Sequence, residues 1–109
     1  MTFDEYQKAS TSTAEYSEFF VPWVYIALGI AGESGELVDK LKKVGRNSNG
    51  VFTDEAKVEI QKEIGDVLWY LSQLCEQLGL SLDETAKMNR AKLESRKTRG
   101  VIKSRGDNR

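Results

Sequence analysis

The chain has 109 residues, 30% of them charged and 39% hydrophobic, with one proline, one cysteine, no histidine and a net charge of −1. That length supports one domain with a modest core, and the mix is that of a soluble helical protein. Without histidine there is no Ser-His or Cys-His nucleophile pair, no histidine general base, no His-containing zinc site and no Glu-x-x-His di-iron motif, so any chemistry falls to carboxylates.

The first predicted element is a short helix from about Thr2 to Ala9, with Phe3 and Tyr6 on one face. Asp4 and Glu5 stand where a secretory signal would be basic, so the expected location is the cytoplasm. A link rich in Ser and Thr follows. The second helix starts near Val21, with Pro22 suited to its first turn, and runs to about Val44. The longest uncharged stretch, Phe19 to Gly32, has fourteen residues; a bilayer takes roughly 17–25, so no membrane span is expected. GRNSNG, Gly45 to Gly50, breaks the pattern. The third helix opens at Thr53-Asp54-Glu55, a cap followed by acids, and continues to about Leu78, where Gly79 closes it. The fourth opens with the capping box Ser81-Leu82-Asp83-Glu84 and runs to about Gly100. Residues 1–100 are thus expected to form a helical domain and residues 101–109 a basic tail.

The fold class is all-α: two long antiparallel helices plus shorter flanking helices, with the bundle completed by oligomerisation. Apolar stripes are expected at Trp23, Ala27, Ile30, Leu37, Leu41 and Val44 on the second helix, and at Ile60, Ile64, Val67, Leu71, Leu74 and Leu78 on the third. Cys75 lies on an apolar stripe and is expected in the core. Trp23, Val24, Tyr25 and Ile26 make the second helix apolar on several sides, and such a helix has to be buried on several sides. A homo-oligomer, dimer or tetramer, follows as the expectation.

Two acidic pairs stand out, Glu33-x-x-Glu36 and Glu63-x-x-Asp66. Residues three apart on a helix are separated by about 60° and ~4.5 Å, so each pair shares a face. Glu36, Glu63 and Asp66 each precede a stripe residue, which puts the acids on edges bordering the core. Antiparallel packing can bring the two edges together, and four converging carboxylates repel unless a cation sits between them. Hard oxygen ligands suit Mg²⁺, with Mn²⁺ as a substitute. Glu-x-x-Glu also occurs as a solvated face, as at Glu15 and Glu18; two such pairs, each straddling a glycine (Gly35, Gly65), favour a site. Gly29, Gly32 and Gly35 lie at three-residue spacing, although each mid-helix glycine costs about 1 kcal/mol relative to alanine. They admit close approach of a ligand, or of a neighbouring helix.

Charge is uneven: residues 1–89 hold eight basic and fifteen acidic residues, residues 90–109 eight basic and two acidic. Asn89, Lys92 and Arg96 share one side of the fourth helix, as a phosphate-binding face or a solvated one. Lys40, Lys42 and Lys43 suit their helix dipole as well as they suit a phosphate, with Lys40 the substrate-binding candidate.

At these residues the sequence resembles the MazG-like family of all-α nucleoside triphosphate pyrophosphohydrolases, through ALGIAGESGELVDKLKK, EIGDVLWYL, LGLSLDETAKMNRAKLESRKTRG and the ending GDNR. The family pattern Glu-x-x-Glu then Glu-x-x-Asp falls on Glu33, Glu36, Glu63 and Asp66, with 26 residues between Glu36 and Glu63. Residues 10–21 match least. The resemblance implies Mg²⁺-dependent hydrolysis of a nucleoside triphosphate between its α- and β-phosphates, giving a monophosphate and pyrophosphate. It implies that the four acids hold metal and do the catalytic work, and that Asn89, Lys92 and Arg96 contact phosphate. The competing expectation is a non-catalytic helical module that binds nucleic acid through its basic end. The acids of the second and third helices oppose a polyanion, so nucleic acid is not the expected partner.

Overall fold

The computed structural model of the chain describes residues 1–16, 18, 20–103 and 107. Among the described residues there are four helices and no strand: α1 (Phe3–Thr11), α2 (Pro22–Ser48), α3 (Asp54–Leu78) and α4 (Leu82–Thr98). The starts follow the expected chemistry. Thr53 and Ser81 accept hydrogen bonds from the backbone N–H of Ala56 and Glu84, and Pro22 sits in the first turn of α2. Thr2 caps α1 in a reciprocal box with Glu5. One end differs from expectation: α2 continues through Gly45 to Ser48. It stops where Asn49 (φ 51°) and Gly50 (φ 77°) turn left-handed, and the Gly50 N–H closes onto the Val44 carbonyl at 3.2 Å. Gly79 (φ 67°) ends α3 as expected.

α2 and α3 pack together along their length as an antiparallel pair. Gly29 meets Tyr70, and Lys40 bonds Glu59, which fixes one register along both helices. The inward stripe is the expected one in half of its positions. On α2 it runs through Ile26, Ile30, Leu37 and Val44, with Ile26 fully buried. On α3 it runs through Ala56, Ile60, Val67 and Leu74. Trp23, Leu41, Ile64, Leu71 and Leu78, expected in the core, are exposed in the single chain, Trp23 by 57% and Leu78 by 59%. The sequence pattern cannot separate two apolar faces on one helix, and these residues form the second face.

α1 lies against both α3 and α4. Its buried Gln7 is a three-way clamp. The Nε2 group donates to Glu76 and to the Leu80 carbonyl, and the Leu82 N–H donates to Oε1 at 2.8 Å. The helix starts also cap each other: Asp83 accepts from the N–H groups of Phe3 and Asp4, and Asp4 accepts from Ser81 Oγ and the Asp83 N–H. Both N-termini thus receive a carboxylate where the helix dipole favours one. Cys75 is buried as expected, beside the polar pair Ser72 and Gln73 that periodicity does not reveal.

The radius of gyration is 16.9 Å, against about 13 Å for a compact domain of this length. The single chain is therefore open, and much of its apolar surface stays in water.

Candidate metal centre

The inward stripes carry charge at their midpoint. Glu33 sits in line between Ile30 and Leu37, and Glu63 between Ile60 and Val67, each at a three- or four-residue step. Both helices therefore aim a carboxylate into their shared interface, closer to the core than the bordering edge expected. Oxygens of Glu33, Glu63 and Asp66 all lie within 4.8 Å of one another. Glu63 is the most enclosed, its side chain 12% exposed. Glu36, one position before the stripe, is exposed and outside this group of three.

The electrostatics record the crowding. Loss of water, then the charges of Asp66, Glu63 and Glu36, push the Glu33 carboxyl above its usual range. Lys40 supplies the one basic partner described, with its ammonium 2.7 Å from Glu63 and 3.3 Å from Glu59; the bond to Glu63 holds its pKa up. One lysine, shared with Glu59, leaves the cluster in negative excess. Hard carboxylate oxygens gathered this closely fit a small divalent ion such as Mg²⁺ or Mn²⁺.

Beside the acids stands an aromatic group not singled out in the sequence. A Cβ at Gly29 would fall inside the Tyr70 ring, so this glycine is what lets the ring lie against α2. Tyr70 stacks edge-on with Trp69 at 5.0 Å and tilts against Tyr25 at 6.5 Å. Loss of water raises its pKa first, with Tyr25, Glu33 and Asp66 adding to the shift. Gly32, Gly35 and Gly65 face open space instead, so close approach within the chain explains one glycine of the run.

The α4 candidates stand apart. Among the described residues no hydrogen bond or ion pair joins Asn89, Lys92 or Arg96 to the acids. Asn89 and Lys92 line an open groove of about 580 Å³ with Leu80, Thr85 and Met88. Lys92 and Arg96 both bond Asp107. Of the four phosphate-binding candidates, Lys40 is the one brought to the acids.

The sequence model of the MazG nucleotide pyrophosphohydrolase domain matches residues 25–101, and the chain belongs to that family. It is similar over its whole length to the Gene 37 protein of Mycobacterium phage L5, at 42% identity over 114 aligned positions covering 100% of both chains. No solved structure matches the chain. No helix among the described residues is long and apolar enough to cross a membrane.

Proposed function

We propose that the protein is a Mg²⁺-dependent nucleoside triphosphate pyrophosphohydrolase that cleaves between the α- and β-phosphates, releasing a nucleoside monophosphate and pyrophosphate. The observation that carries this reading is the convergence of Glu33, Glu63 and Asp66 at the seam of α2 and α3, with Glu63 enclosed and Asp66 open to solvent. Three like charges brought this close, with one lysine beside them, favour a cation-binding site. Glu33, Glu63 and Asp66 hold the metal, with Glu36 completing the set from the exposed side. A divalent metal held by these residues would supply charge neutralisation for the pyrophosphate leaving group. A carboxylate of the cluster orients the attacking water and accepts its proton. Lys40 gives up its bond to Glu63 and turns to phosphate. Asn89, Lys92 and Arg96 bind the phosphate chain.

The chain works as a homo-oligomer, a dimer or tetramer. Trp23, Val38, Ile64 and Leu78 are each more than half exposed in the single chain, and an exposed apolar set of this size marks an interaction face. A second copy, covering that face, also brings further helices toward the acids. Light scattering at micromolar concentration is expected to report at least twice the 12.3 kDa chain mass. The reading as a whole is tested by titrating Mg²⁺ and Mn²⁺ calorimetrically and by assaying pyrophosphate release from a panel of ribo- and deoxyribonucleoside triphosphates. Failure to bind either ion, together with no turnover on any triphosphate, would reject it.

A further inference from the structure

Where α4 ends, Gly100 turns left-handed (φ 70°) and the Val101 N–H closes onto the Arg96 carbonyl at 2.9 Å. The chain reverses there, and Asp107 comes back onto α4. Its Oδ1 accepts from Lys92 Nζ at 3.1 Å and from Arg96 Nη2 at 2.9 Å, and its carbonyl accepts from the same Nη2 at 2.8 Å. Arg96 is 4% exposed, a nearly buried guanidinium that donates, among the described residues, to two oxygens of one tail residue. Asp107 itself is 80% exposed on its side chain. The contact thus seats a solvent-facing anion on one buried guanidinium and one half-exposed ammonium.

Asp107 is an incomplete occupant. Among the described residues two cations share one carboxylate, which leaves positive charge in excess. Both guanidinium bonds to Asp107 come from Nη2, and Arg96 Nε is buried with no hydrogen-bond partner. Arginine presents its donors as a fork that matches the oxygens of a carboxylate or phosphate in pairs. A phosphate group carries enough oxygens to take Nε and Nη2 together and still meet Lys92, and it brings more negative charge. A tethered carboxylate at high effective concentration holds such a site in the absence of ligand and yields to a better anion.

We infer that Asp107 is a built-in competitor for the Lys92–Arg96 phosphate site, a latch that the tail closes in the free protein and that the phosphate chain of a nucleotide displaces. This rests on the assignment of Lys92 and Arg96 to phosphate made above, and it adds a threshold to that site. Nucleotide affinity is set by the fraction of molecules with the latch open.

The test uses the full chain and inorganic pyrophosphate without divalent metal, so that the acid cluster contributes nothing. If the latch is closed about nine-tenths of the time, Asp107→Asn binds pyrophosphate roughly ten-fold more tightly than the unaltered protein, while Asp107→Glu, which keeps the charge, stays near it. Unchanged or weaker binding in Asp107→Asn overturns the latch. A second measurement needs no variant: in amide NMR of the unaltered protein, pyrophosphate is expected to shift Asp107 and Val101 along with Lys92 and Arg96. A shift at Lys92 and Arg96 with Asp107 unmoved overturns the inference as well. Lys92→Ala separates the two readings. If it leaves pyrophosphate binding intact, the phosphate assignment has failed; if it weakens binding while Asp107→Asn changes nothing, only the latch has failed.

Discussion

The seam of α2 and α3 and the far end of α4 are opposite in charge and alike in construction. Among the described residues each gathers more like charge than its internal partner cancels: Glu33, Glu63 and Asp66 against Lys40, and Lys92 and Arg96 against Asp107. The difference lies in how the partner is held. Lys40 is on the same rigid helix pair as the acids, so it is present whenever the pair is folded. Asp107 reaches its site only through a chain reversal, eleven positions beyond Arg96. A site balanced from within its own scaffold exchanges its counter-ion by turning one side chain; a site balanced by a chain end exchanges it by releasing a segment. The two leftover charges, negative at one site and positive at the other, match the two parts of a metal–triphosphate complex.

The largest effect is expected at the acid site. Glu33→Ala, Glu63→Ala or Asp66→Ala should cut turnover by about 10³-fold or more, the scale of several kcal/mol of lost metal catalysis. Helicity by circular dichroism should be unchanged. Glu36→Ala is the sharper case, because Glu36 stands outside the cluster in the free chain; full activity there would remove it from the metal set. At the basic site, Lys92→Ala should raise KM by roughly 10-fold, as a charged hydrogen bond worth ~1.5 kcal/mol implies, with kcat and the Mg²⁺ titration little changed. An equal loss of metal affinity would mean the two regions are not separable.

Smaller effects sharpen the comparison through stability. Glu33→Gln removes a charge that is desolvated and repelled by its neighbours. It should raise the melting temperature of the metal-free protein by roughly 4–8 °C, the shift about 1 kcal/mol gives a domain of this size, while abolishing metal binding. The sign with pH follows from the raised pKa. The folded protein holds the Glu33 proton more tightly than the unfolded chain, so this group's contribution becomes more favourable as pH falls through its raised value. The advantage of Glu33→Gln should therefore be greatest near neutral pH and shrink on acidification; a constant or growing gap in thermal melts would contradict it. The glycines are read through stability too, with opposite signs expected at Gly29 and Gly32. Gly29→Ala drives a methyl into the Tyr70 ring and should destabilise by about 1–3 kcal/mol. Gly32→Ala meets open space and should gain up to about 1 kcal/mol in helix propensity, as denaturant melts at low protein concentration would report.

Much of this fold is legible in the sequence, because caps and breakers act locally. Thr53, Ser81, Gly79 and Pro22 each sit where their chemistry requires. The register of the core is less legible. Trp23, Ile64 and Leu78 are as apolar as Ile26 and Val44, and nothing in a helix's own periodicity says which of two apolar faces meets the neighbour within the chain. The spacing of the acids brought out all three members of the cluster. It did not separate Glu33 and Glu63, on the inward stripe, from Glu36 beside it. The role of Asp107 had no local signature: GDNR was visible as a family word, but its partners lie in α4. Basic residues were expected to define the tail; its acid Asp107 bonds Lys92 and Arg96, while Arg105 and Arg109 lie outside the described residues.

The clamp at Gln7 bears on the order in which the protein is assembled. Its partners Glu76 and Leu82 lie 69 and 75 positions further along the chain, whereas the seam of α2 and α3 closes across a short loop. Contacts near in sequence form early, and those that must first close a long loop form late. During synthesis α1 therefore emerges first and docks last, waiting for the α3–α4 elbow to leave the ribosome. The same asymmetry runs in reverse in the finished molecule, where α1 and the elbow are the unit that opens before the helix pair does. Their amide hydrogens should exchange with solvent ahead of those in the middle of α2 and α3.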